Sequence, residues 1–159
     1  MAKKRSDTQY TFKVNLKGAK SIWRKLVLRG DHTLHDLHEM IYEAFDRFDE
    51  HLYSFYFPRA VARRDRFDFQ PKEYSSRIML EEPDPFSESK PFNAAKTRLD
   101  SLQLLVGQTF EYLFDFGDNW MHEIKVIAIE TIDKTEKSKL PLISERHGNS
   151  PAQYPPEEE

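Results

Sequence analysis

His35, His38, Glu39, His51, Asp115, Asp118, His122 and Glu123 are the side chains best suited to chemistry near neutral pH. Histidine titrates in that range and a carboxylate can orient it, so such a group could bind a divalent metal or pass protons. On a helix, His35, His38 and Glu39 stand at i, i+3 and i+4 as neighbours. The spacing is not His-Glu-x-x-His, and no standard metalloprotease or nuclease motif is matched. A plainer assignment puts His38 at the core edge, His122 in the sheet as a hydrogen-bonded histidine, and His35 in water. That assignment takes precedence, and neither a metal nor a cofactor is expected. The alternative is a metal-dependent hydrolase-type enzyme with His35, His38, Asp115, Asp118 and His122 as its catalytic candidates.

Asp115-Phe116-Gly117-Asp118-Asn119-Trp120 contains the Asp-Phe-Gly of protein kinases without their Gly-rich or His-Arg-Asp loops. A hairpin turn explains Gly117 and one aspartate. The second aspartate and Trp120 leave ligand contact open there, and Trp23, Arg24, His51 and Trp120 are the ligand-binding candidates. Arg59, Arg63, Arg64 and Arg66, beside Phe67, Phe69 and Tyr74, could hold phosphates and stack bases. The acidic stretch after them and a net charge of −3 argue the other way. Ser/His/Asp catalysis lacks its Gly-x-Ser-x-Gly elbow, and 5 glycines give no phosphate-cradling loop.

Composition narrows the setting in which these groups act. No cysteine is present among 159 residues, which excludes disulfides, thiol nucleophiles and Cys-ligated metals. No apolar run reaches the roughly 18 residues of a membrane span, and Met1–Asp7 is basic without the apolar stretch of a signal peptide. A cytoplasmic, single-domain protein is expected. The 12 Phe, 7 Tyr and 2 Trp supply core volume that a 38% apolar content would not promise.

The elements that must position the candidates follow from periodicity. Tyr10–Lys17 alternates apolar and polar, Gly18-Ala19-Lys20 turns, and Ser21–Leu28 resumes with Ile22, Leu26 and Leu28 on one face, a β-hairpin. Thr33 and Asp36 form a capping-box variant at the start of a helix. Leu34, Leu37, Ile41, Ala44, Phe45 and Phe48 share its core arc. Asp36, Glu43 and Arg47 face water, while His35, His38 and Tyr42 edge the arc. His51–Phe57 is a third strand ended by Pro58. Residues 59–96 form a long excursion with one short strand near Ser76–Leu80, long enough to be a recognition element.

Ser101–Val106 reads as a short helix closed by Gly107. Thr109–Phe116 and Trp120–Thr131 then form a second hairpin. A three-residue loop would pair Phe116 with Trp120, Phe114 with His122, Tyr112 with Ile124 and Phe110 with Val126, keeping the apolar set on one face. The Pro- and Glu-rich tail of residues 134–159 is extended or disordered, with Leu140, Leu142 and Ile143 docking as a last short segment. The order ββα-β-(excursion)-αββ predicts an α+β fold, a single-domain α/β roll of which a β-grasp is one form, spanning residues 1–133.

Tyr10-x-Phe12-x-Val14-x-Leu16, Ile22-Trp23-Arg24, Thr33-Leu34-His35-Asp36-Leu37-His38, His51-Leu52-Tyr53-x-Phe55 and Tyr112-x-x-Asp115-Phe116-Gly117-Asp118-x-Trp120-x-His122-x-Ile124 stand in this order. Over Thr8–Ile132 the chain resembles the plasmid pRiA4b ORF-3-like family, whose relatives also travel in insertion sequences. The resemblance implies an α/β roll-type domain of uncharacterised function. Resolvase names among relatives reflect gene neighbourhood, and the chain shows no recombinase nucleophile pattern. Many relatives carry a Cys- or Pro-Pro-Glu-containing terminus; here Ser150–Tyr154 holds no cysteine, and Pro155-Pro156-Glu157 follows. The leading expectation is a non-enzymatic binding or adaptor module, associated with mobile elements, with a protein or nucleic-acid partner and no membrane. Its oligomeric state is not legible.

Overall fold

The computed structural model describes residues 6–49, 52–58, 72–76, 92–115, 120–132 and 139–151. In strand β1 (Thr8–Leu16), Tyr10, Phe12, Val14 and Leu16 are buried and the residues between them face away. Strand β2 (Ala19–Arg29) buries Arg24, Leu26 and Leu28 on the same side. Helix α1 (Leu34–Ala44) starts at Thr33, where the predicted capping box with Asp36 is formed. Strands β3 (Tyr53–Phe57), β4 (Lys72–Ser75), β5 (Phe92–Asn93), β6 (Thr109–Phe114), β7 (Trp120–Thr131) and β8 (Leu142–His147) complete the elements, with 3-10 turns at Ala94–Lys96 and Leu99–Leu102.

All eight strands join one mixed sheet in the order β5-β4-β3-β6-β7-β1-β2-β8. Only the short β4–β5 pair is parallel among these neighbours. Leu34, Leu37, Met40, Ile41 and Ala44 of α1 share a core with the aromatic side chains of β1, β3 and β6. The expected α+β roll is therefore corrected: an eight-stranded sheet with one α-helix among the described residues is not a balanced roll. Two expectations inflated the helical share and hid strands. The segment read as a helix to Val106 is a 3-10 turn that stops at Leu102, where Gln103 turns left-handed at φ 52°. The excursion supplies β4 and β5, while the strand expected near Ser76–Leu80 lies, beyond Ser76, outside the described residues.

Two local errors share one cause. The helical wheel was carried past Ala44, but Phe45 caps α1 and Asp46 has φ 56°. Beyond that break the wheel has no meaning. Phe48, expected in the core, is 66% exposed, and Arg47, expected in water, is 7% exposed. The second hairpin also pairs differently, with Phe114 opposite Trp120, Tyr112 opposite His122 and Phe110 opposite Ile124. The expected odd loop kept every side chain on its face, yet the register is shifted by two residues. Asp115 leaves the strand at φ 63° and donates its N–H to the Leu52 carbonyl at 3.0 Å, which ends β6 at Phe114.

Gly30 joins β2 to the turn before α1. A Cβ there would collide with the Asp100 carboxylate, which accepts the Tyr10 hydroxyl at 2.8 Å. The N–H of Asp100 reaches the Gly30 carbonyl at 3.0 Å, so this close approach ties the Leu99–Leu102 turn to the sheet.

Candidate functional site

The helix edge and the β3–β6–β7 aromatic layer meet as a layer of histidines and tyrosines. At its outer end His35 Nε2 is 3.0 Å from Glu39 Oε1, and His35 Nδ1 is 2.9 Å from the Tyr53 hydroxyl. One turn on, His38 lies flat on Tyr53, 3.8 Å between ring centroids, and its Nδ1 shares a 2.6 Å hydrogen bond with the Tyr112 hydroxyl. Tyr112 in turn contacts the His122 ring at 5.3 Å, and Phe45 meets His122 edge-on at 5.0 Å. Burial, with His35 nearby, lowers His38 from 6.5 to about 3. Burial and then the Arg47 charge lower His122 to about 3 as well. Both are neutral at pH 7, because a charged imidazole sealed from water is costly.

Three of the five catalytic candidates, His35, His38 and His122, are thus brought together around Tyr53 and Tyr112. Asp115 is buried at the end of β6. Asp118 and His51 lie outside the described residues, as do Arg59, Arg63, Arg64 and Arg66. No group of three or more metal-ligating side chains converges among the described residues. His35 is not simply in water, since it bonds Tyr53. His122 is not the hydrogen-bonded sheet histidine expected: the backbone of Tyr112 and Trp120 lies near it, but neither ring nitrogen has a partner in hydrogen-bonding geometry.

Of the ligand-contact candidates, Arg24 has a structural task. It is 2% exposed and donates Nε to the Ala44 carbonyl, Nη1 to the carbonyls of Trp23 and His147, and Nη2 to Ser150 Oγ. Arg146 donates to the same Ala44 carbonyl at 3.0 Å. Two guanidinium groups therefore satisfy the C-terminal end of α1, where the helix dipole favours cations. An open cleft of about 510 Å³ lies beside them, lined by Arg24, Asp46, Arg146 and Gly148–Ser150.

Trp23 stands on the opposite face of β2 and stacks on His147, 5.1 Å apart and 4° from parallel. Lys13 Nζ and Lys25 Nζ lie 4.8 and 5.6 Å from its ring centroid. On this outer face Lys25 of β2, Lys13 of β1 and Lys125 of β7 are direct cross-strand partners, a row of three ammonium groups. The neighbouring row carries Trp23, Asn15, Glu123 and Glu111. Sequence reasoning missed the lysine row. Only pairing register reveals it, although the first hairpin alone could have placed Lys13 opposite Lys25.

Trp120 begins β7 and takes the Arg47 guanidinium over its ring at 4.2 Å. Arg47 was the other omission, because its burial depends on the break at Asp46.

The sequence model of a family described as "Plasmid pRiA4b ORF-3-like protein" matches residues 8–157. A crystal structure titled as a protein of unknown function, MM3350 from Methanosarcina mazei Go1, superposes with a TM-score of 0.72 at 21% identity. The match covers 93% of this chain and 74% of that one, a likeness of fold. No curated protein matches the chain.

Proposed function

The chain belongs to the plasmid pRiA4b ORF-3-like family, and from that premise we propose that it is a non-enzymatic binding module holding an acidic protein segment on the open sheet face. The observation that carries this reading is the Lys125–Lys13–Lys25 row. Like charges directly opposite each other weaken strand pairing. Lys25 has Glu145 at 3.3 Å and Lys13 leans on Trp23, which offsets part of that repulsion. An acidic partner would offset the rest.

Two features favour a polypeptide over a nucleic acid. The Trp23 ring already carries His147 and two ammonium groups, which leaves it a poor platform for bases. In the adjoining row Glu111 is paired with Lys17 at 2.8 Å, while Glu123 opposite it would repel a continuous phosphate chain and suits a segment of mixed charge. The hydrolase alternative asks His38 and His122 to exchange protons with a substrate, and both are sealed and neutral.

The experiment compares a fluorescent glutamate-rich peptide with single- and double-stranded oligonucleotides by anisotropy across a salt series. Peptide binding that weakens with salt, and falls at least about tenfold in K13E/K25E/K125E of unchanged fold, is the expected result. Oligonucleotide binding alone, or equal binding by the variant, would overturn it.

A further inference from the structure

On the helix side of the sheet, Arg47 presents a guanidinium that is buried yet hydrogen-bonded to none of the described residues. Its Nε, Nη1 and Nη2 are all enclosed without a partner, and so are Trp120 Nε1 and both ring nitrogens of His122. The residue is 7% exposed and its charge sits over the Trp120 ring. The neighbouring Asp46 carboxylate attracts Arg47 without hydrogen-bonding it. A buried cation left without hydrogen bonds costs several kcal/mol, and folded proteins satisfy the large majority of such groups. The cation–π contact recovers on the order of 2 kcal/mol and engages none of the five N–H donors.

We propose that Arg47, Trp120 and His122 form a binding site for a small carboxylate. Arg47 supplies the planar fork that fits two carboxylate oxygens. The indole N–H of Trp120 and one imidazole N–H of His122 are the further donors of the site. The one formal charge among the three belongs to Arg47, so a monoanion matches the site better than a dianionic phosphate. The aromatic rings of Phe45, Tyr112 and Trp120 around these groups suit the apolar body of an organic acid. The site lies on the other side of the sheet from the lysine row and does not depend on it.

The test is thermal melting of the full chain in acetate, phosphate and chloride at matched ionic strength. A W23F background makes Trp120 the remaining indole, so its fluorescence can be followed in parallel. Acetate is expected to raise the melting temperature saturably, by roughly 5–10 °C at a hundredfold excess over its dissociation constant, and to change Trp120 emission with the same midpoint. Arg47→Met is expected to lose both responses, yet melt no lower than wild type without acetate, since it removes an unpaired charge. Arg47→Lys, which keeps the charge and loses the fork, is expected to bind acetate at least about tenfold more weakly. Equal shifts in acetate and chloride, a response to phosphate alone, or acetate binding retained in Arg47→Met would each overturn the assignment.

Discussion

His38 of α1 lies 3.8 Å above Tyr53 of β3, 9° from parallel, while its Nδ1 bonds the Tyr112 hydroxyl of β6 at 2.6 Å. One side chain thus joins the helix to two neighbouring strands by a stack and a hydrogen bond. Replacing it with alanine removes ring volume and the hydrogen bond to the Tyr112 hydroxyl. The expected cost of His38→Ala is about 3–4 kcal/mol, from the cavity and the lost bond together. His38→Phe keeps the stack and is expected to cost about 1–2 kcal/mol. Urea unfolding of both variants measures the difference; equal losses would mean that the stack contributes little.

The same burial gives stability a definite pH dependence. His38 and His122 fall from 6.5 to about 3 in the folded protein, so the unfolded chain takes up protons first as pH drops. The stability tied to their neutral forms is complete above about pH 6.5 and is lost as pH falls toward about 3. Between those limits the two together give a slope of up to about 2.7 kcal/mol per pH unit. Urea midpoints measured across this window should fall steeply, and His122→Phe should halve the slope.

Arg24 and Arg146 make unequal contributions to the end of α1 although both reach Ala44. Arg24 is buried and makes four hydrogen bonds, whereas the Arg146 side chain is 46% exposed and is 3.7 Å from Asp46. Arg24→Lys keeps the charge but cannot reproduce the fork, and the expected cost is about 2–4 kcal/mol. Arg146→Ala should cost less than about 1 kcal/mol. Hydrogen exchange should show faster opening of β8 in Arg24→Lys, because the His147 carbonyl loses its donor.

What the sequence revealed was chiefly periodic. Alternation located β1, β2, β6 and β7, an aromatic run ended by Pro58 located β3, and the capping box located the start of α1, because each signal lies within one element. Pairing between distant segments left no such trace. Leu142–His147 becomes the edge strand on β2 through contacts made across more than a hundred residues of chain, and β4 and β5 arise inside a stretch with little periodicity. The site divides the same way. His35, His38 and His122 were legible as residue types, while Arg47 required a backbone break and the lysine row required a register.

That break yields a sharp test with two phenylalanines three positions apart. A helix running unbroken through Phe48 would bury both rings on one arc, but Asp46 at φ 56° sends them apart. Phe45 is fully buried against His122 and Arg24, whereas Phe48 is 66% exposed. Phe45→Ala should therefore cost about 3–5 kcal/mol as the cavity opens. Phe48→Ala should stay within about 1 kcal/mol of wild type. Asp46→Gly, which relieves the left-handed backbone, should be neutral or stabilise by up to about 1 kcal/mol, less the small contribution of the Arg146 pair. Denaturant midpoints for the three variants measure this directly. Equal losses at Phe45 and Phe48 would require α1 to continue past Asp46, and would return Arg47 to the solvent side of the helix.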